Sequence, residues 1–234
     1  MMRTLLAVLL ALSFPLTPAV AQVSIQIGAP NLSIGIAVPV YPRLVLVPGY
    51  PVYWAPGLNA NYFFYDGMYW VYEGDGWYAS SWYNGPWAPV APEAVPVFLL
   101  RVPVRYYRQP PPYFRAWRHD APPRWGERWG HDWEERRRGW DRWNRRAVPA
   151  PAPLPAYQRR YPADRYPQAE RQPGLHGQHY RYHPRDVSVR EAYQAHGLRS
   201  PPPSPGRDRG HEGGPRPRGP GRPRGEGRGQ GDDR

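Results

Sequence analysis

Four groups of residues in this 234-residue chain have types and spacing that invite chemistry. The first is His176, His179 and His183, whose spacing suits one face of a helix and thus a metal site. Gly174, Gly177 and Pro184 weaken that helix, and no cysteine or paired carboxylate accompanies the imidazoles. The second is the set Trp77, Trp82 and Trp87, next to the Asp75-Gly76 and Asn84-Gly85 turns. Exposed rings there would stack on sugar faces and bind peptidoglycan or another polysaccharide; the competing reading is that these rings are core, because aromatic burial dominates small β modules. The third is Trp125, Trp129, Trp133, Trp140 and Trp143, flanked by arginines. Laid on a helix at about 100° per residue, they share one narrow face. That face would sit in a membrane interface with arginine on anionic lipid, or would pack on an open face of the β module. The fourth is the run Gly219-Pro220-Gly221-Arg222-Pro223-Arg224, an AT-hook-like core in an Arg/Gly tail that binds polyanions through charge. No nucleophile elbow, phosphate loop, zinc-binding helix or buried carboxylate pair is present, so nothing points to an enzyme or to a cofactor.

The address of the chain arbitrates among these. Arg3 precedes an apolar run over residues 5–12, Pro15 and Pro18 close it, and Ala19-Val20-Ala21 supplies the small residues a signal peptidase requires. Residues 1–21 therefore read as a signal peptide cleaved after Ala21, and the mature chain is expected to start at Gln22. The run is too short to span a bilayer, which takes about 20 residues. With no cysteine, neither a lipid-anchored lipobox nor a disulfide framework is expected. The setting this implies is the periplasm or cell envelope of a Gram-negative bacterium, which disfavours nucleic acid as a partner.

Charge divides the mature chain. Residues 22–107 hold three arginines against four acids, a net of −1, whereas residues 108–234 hold 27 arginines against 15 acids, a net of +12. All 31 basic residues are arginine. The near-neutral part alternates apolar and polar residues over 23–27 and 32–38 as a hairpin. Short strands follow at 44–47, 52–54 and 61–65, then an aromatic run from 62 to 89 punctuated by Asp66-Gly67, Asp75-Gly76 and Asn84-Gly85. Residues 95–105 read as a last, proline-marked edge strand. The expected fold is mainly β: a small antiparallel aromatic-rich meander or partial barrel over 22–107, a Pro-rich linker over 108–121, one amphipathic Trp-striped helix over 122–146, and a long disordered C-terminal tail over 147–234 rich in Arg, Pro and Gly. Within that tail only residues 187–198 have helix-forming character.

Tyr65-Asp66-Gly67, the stretch from Trp77 to Trp87, Arg101-Val102-Pro103-Val104-Arg105-Tyr106-Tyr107-Arg108 and Pro110-Pro111-Pro112 together resemble a group of uncharacterised exported proteins of proteobacteria. That group shares the order of signal peptide, aromatic β segment, Arg/Trp helix and Pro-rich tail. The resemblance implies an envelope setting and no particular activity. The expected role is non-enzymatic contact with anionic envelope polymers or the outer-membrane surface through the arginine-rich half. The alternatives are a carbohydrate-binding module using Trp77, Trp82 and Trp87, and nucleic-acid binding by the tail.

Overall fold

A computed structural model describes residues 36–198. Six strands form one open antiparallel sheet in sequence order: β1 (Val45–Leu46), β2 (Val52–Trp54), β3 (Asn61–Tyr65), β4 (Met68–Glu73), β5 (Gly76–Ser80) and β6 (Ala88–Val90). Tight turns explain the meander. Asp66 and Gly67, at φ +49° and +96°, connect β3 to β4 in the left-handed conformation that matches strand twist. The β4–β5 turn falls on Gly74 and Asp75, at φ +52° and +64°, one residue earlier than the sequence suggests. That register sets Trp77 opposite Tyr72, with ring centroids 5.3 Å apart, and an aromatic cross-strand pair outweighs the choice of turn dipeptide. Asn84-Gly85 is not a two-residue hairpin turn. It lies in a longer loop whose Trp82 and Tyr83 turn inward, while Asn84 accepts a hydrogen bond from the Val38 amide (2.7 Å).

The central strands are buried on both faces. Phe63, Tyr65, Met68, Trp70, Tyr72, Trp77 and Ala79 enter one core, and the alternate residues Tyr62, Phe64, Tyr69 and Val71 enter a second. Period-two alternation thus sorts aromatic residues to both sides of the sheet rather than apolar to one side and polar to the other. A sheet of this kind needs two covers.

The first cover is the chain after β6. Residues 95–105, expected as a strand, instead form helix α1 (Val97–Leu100) and a 3-10 turn at Val104–Tyr106. Pro96 and Pro103 lack the donors a ladder requires, and Pro96 sits at the helix entrance. The Pro-rich stretch 108–121 inserts Phe114 and Trp117 into the same core. The single helix expected over 122–146 is two short ones, α2 (Trp125–Trp129) and α3 (His131–Arg136), followed by turns. Gly130, at φ +87°, breaks it, and Gly139, at φ +83°, prevents its resumption.

The second cover is the part of the chain expected to be disordered. From Ala147 to Leu198 the chain packs against the sheet. Ala152, Leu154, Tyr157, Tyr166, Tyr180 and Tyr182 lie on the second core, next to Val38 and Leu44 from the start of the described chain. The strap includes α4 (Gln172–His179) and ends in α5 (Val187–Ala195), whose Val189, Ala192 and Tyr193 join the first core. Asp186 caps α5, accepting from the Ser188 amide at 3.0 Å. Of the hairpin expected over 23–38, only Ile36 to Val38 are described, and they form no strand. Residues 199–234, with the Gly219–Arg224 motif, lie outside the described residues.

Phe64 is fully buried at the centre of the second core, 5.0 Å from the Tyr69 ring and 6.1 Å from the Tyr53 ring. Phe64→Ala is expected to destabilise the chain by about 3–5 kcal/mol in urea unfolding, and a change under about 1 kcal/mol would mean that this face is not packed.

Candidate functional site

The structure moves the three candidate sugar-binding rings inside. Trp77 is 2% exposed, Trp82 0% and Trp87 5%. Trp77 packs among Phe63, Tyr72 and Trp125 in the first core. Trp82 is ringed by the edges of Tyr157, Tyr161 and Tyr166 at 5.4–5.8 Å, and its indole N–H donates to the Gln172 carbonyl at 3.3 Å. Trp87 meets Tyr62 edge to face at 5.9 Å. Proximity to glycine turns suggested exposure; the strap, unrecognised as an ordered layer, is what covers Trp82. A glycan has no free ring face at these positions.

The tryptophan stripe divides. Trp125 and Trp133 are buried, and the Trp125 indole donates to the Leu100 carbonyl at 2.9 Å, so neither ring lies on a membrane. Trp129, Trp140 and Trp143 are half-buried and pack against the first core. Across the helix break Trp129 still touches Trp125 at 4.5 Å and Trp133 at 4.8 Å, whereas Trp143 packs apart from them on Tyr50 and Phe98. Trp125 makes its contact with the sheet, through Tyr72 and Trp77.

Two buried polar sites tie the strap to the sheet, and the sequence singled out neither. Gln158 is fully buried. Its side-chain oxygen accepts from the Tyr69 hydroxyl (3.0 Å) and the Tyr83 amide (3.1 Å), and its NH2 group donates to the Ser81 carbonyl (2.9 Å) and the Tyr157 hydroxyl (3.1 Å). All four hydrogen-bonding positions of the amide are used. Tyr157 then meets His176 Nδ1 at 3.0 Å, and His176 Nε2 contacts the Tyr193 hydroxyl, extending one chain from sheet to α5. At the other end, Asp66 accepts from the Tyr182 hydroxyl (2.5 Å) and from the Arg185 and Asp186 amides (2.7 Å each). Burial raises the Asp66 carboxyl above its ordinary value, opposed by these three donors. Gly67 beside it carries no Cβ, which would meet the Tyr182 ring at 3.1 Å.

Both nitrogens of His176 are occupied, while His179 and His183 are exposed, and His179 lies against the Tyr157 ring at 5.4 Å. The three imidazoles do not converge, and among the described residues no cluster of three or more His, Asp or Glu is placed to hold a metal ion. Tyrosine hydroxyls in these networks, including Tyr65, Tyr69, Tyr157 and Tyr193, have their pKa values raised chiefly by burial, so they serve as neutral hydrogen-bonding groups.

The arginines take the opposite position. The described chain holds 21 of them, and 19 are exposed. The two half-buried ones are structural. Arg101 lies over the rings of Phe98 (5.4 Å) and Trp143 (5.3 Å) and donates to the carbonyls of Trp140 and Arg142. Arg137 donates to the carbonyls of Glu93 (2.7 Å) and Val95 (2.5 Å). Six exposed arginines pair with carboxylates at the surface, namely Arg118, Arg124, Arg128, Arg136, Arg138 and Arg165. The other exposed arginines make no ion pair with a described residue. No helix of the described chain is long and apolar enough to cross a membrane.

The site and fold together define a class by architecture: an open aromatic sheet, sealed on both faces by its own chain, with an arginine exterior. No family model, curated protein or solved structure matches the chain.

The His176 imidazole is drawn from its ordinary value near 6.5 down to about 4 by burial, and the half-buried His196 imidazole is also lowered. The unfolded chain therefore takes up these protons first. Stability is full above pH 6.5 and falls as pH drops from there toward 4, by about 3 kcal/mol for His176. Urea unfolding at pH 7.5 and pH 4.5 should show this decline, and His176→Gln, which keeps a donor and an acceptor for the two tyrosines, should reduce it. An unchanged pH slope in His176→Gln would contradict this assignment.

Proposed function

We propose that the mature chain is an exported, non-enzymatic envelope protein that contacts anionic envelope polymers or the outer-membrane surface through its arginines. The observation that carries this reading is the separation of roles within one fold: aromatic residues are interior, whereas 19 of 21 described arginines face solvent and most of those lack a described carboxylate partner. Arginine presents a planar fork that binds phosphate or carboxylate through two parallel hydrogen bonds and keeps its charge at any physiological pH. Many such forks on a rigid scaffold favour a large polyanion over a small ligand. Most buried tyrosines, and His176, are engaged in internal hydrogen bonds, which supports a scaffold role rather than catalysis. The signal peptide read from residues 1–21 supports the envelope as the place where this happens, and it weighs against nucleic acid.

The test is binding of the mature chain, residues 22–234, to lipopolysaccharide, phosphatidylglycerol vesicles and peptidoglycan at about 50 and 300 mM salt. Binding to at least one of these, weakened about tenfold or more at the higher salt, is expected for an interaction between exposed charges. Absence of salt-sensitive binding to all three would refute the reading.

A further inference from the structure

The exposed arginines are not spread evenly with respect to the aromatic residues beneath them. The charges of three arginines from separate parts of the chain act on Tyr50, at the turn between β1 and β2: half-buried Arg101 at the end of α1, and exposed Arg105 in the 3-10 turn and Arg145 in the turns after α3. Tyr50 packs on Trp143 with ring centroids 5.1 Å apart, and Arg101 lies over Trp143 at 5.3 Å. Because Arg101 also holds the carbonyls of Trp140 and Arg142, it fixes the backbone that carries Arg142, Arg145 and Arg146. Arg105 lies over the Tyr106 ring at 5.7 Å, and Tyr106 meets Trp54 edge to face at 5.2 Å. Burial raises the Tyr50 phenol above its ordinary pKa, and Arg145, Arg105 and Arg101 each pull against that rise, so all three charges are felt at one hydroxyl.

Few carboxylates compensate this cluster. The Asp141 charge acts on Arg101 with no ion pair between the two. The Asp120 charge is felt by Arg105, but Asp120 already receives two hydrogen bonds from Arg118, at 3.2 and 3.0 Å. Arg145 has no ion pair with a described residue. Arg105 and Arg145 therefore present guanidinium groups without an ion pair to a described residue, beside half-buried Trp54, Tyr106 and Trp143.

We propose that this patch is a docking surface for the phosphate groups of an anionic lipid surface, with Arg105 and Arg145 making the contacts and Arg101 and Trp143 holding them in place. The proposal rests on the envelope reading above and names the partner within it. Occupied ring faces decide the ligand class. Arg101 covers Trp143, Arg105 covers Tyr106, and Tyr50 lies against Trp143, so neither a sugar nor a nucleobase finds a free face to stack on. Ring edges and guanidinium forks remain, the combination that suits phosphate at headgroup level beside interfacial tryptophan and tyrosine.

The test compares three full mature chains by co-sedimentation with phosphatidylglycerol and with phosphatidylcholine vesicles at about 50 mM salt: wild type, Arg105→Gln/Arg145→Gln, and the control Arg160→Gln/Arg171→Gln, which removes the same charge from the exposed strap. The four positions are exposed side chains, and equal far-ultraviolet circular dichroism of the three proteins verifies the fold. Wild type should bind phosphatidylglycerol and not phosphatidylcholine. The patch variant should bind about thirtyfold more weakly, about fivefold per arginine, and the control should change by less than about threefold. Equal weakening in both variants would overturn the patch and leave the broader reading standing, since the attraction would then be diffuse. Binding of wild type to peptidoglycan but to neither phosphatidylglycerol nor lipopolysaccharide would do the same. No binding to any of these would overturn both.

Discussion

Burial of β3 and β4 on both faces is the constraint from which the rest of this structure follows. Alternate residues of these strands are aromatic or aliphatic on each side, so neither face can be left to water without exposing large rings. A module ending near Tyr107 has only enough chain for one cover. The remaining surface is closed by segments whose composition does not advertise a core: a proline-interrupted run after β6, two glycine-broken helical turns, and a strap rich in Pro, Arg and Tyr. Aromatic residues make this possible, since each ring buries a large area for few conformational degrees of freedom.

The same reliance on tyrosine accounts for the polar character of the interior. A buried tyrosine brings a hydroxyl that needs a partner, and the strap supplies partners at defined points. Gln158 serves Tyr69 and Tyr157, while the Pro153 and Tyr161 carbonyls accept from Tyr180 and Tyr83 at 2.6 and 2.5 Å. Asp66 anchors the segment leading into α5 through two backbone amides. These bonds give a proline-rich segment a single seating, where apolar contact alone would permit sliding. They also place His176 at a junction between α4, α5 and the strap, which couples the seating to pH.

The legible and illegible parts of the fold have physical explanations. β2 and β3 match the strands read from alternation, because Val52 to Trp54 and Asn61 to Tyr65 are bounded by proline and glycine turns. Asp66-Gly67 specified its turn, whereas the next turn moved by one residue to pair Trp77 with Tyr72, a tertiary preference that no dipeptide rule contains. The spacing of Trp125, Trp129 and Trp133 did reveal a shared face, but continuity of the helix was lost to Gly130, a cost already visible in the sequence. The strap was illegible because proline and arginine content signals disorder, and the counter-signal, six tyrosines between residues 147 and 198, is apolar area hidden in a residue counted as polar. Burial of Trp82 is illegible for the same reason, whereas Trp77 is covered by Trp125 from beyond residue 107. The arginine surface was legible as a charge step at residue 108, though its concentration around Tyr50 depends on three segments meeting in space.

The central claim is that the strap is an integral layer of the fold. Hydrogen–deuterium exchange followed by mass spectrometry tests it directly at pH 7.5. Amides of α5 and of the 3-10 turn at Ala156–Arg160 should exchange slowly, within about tenfold of those in β4, because their opening requires uncovering the sheet. Exchange of residues 156–195 at the rate of an unstructured chain, with β3 and β4 still protected, would contradict the account.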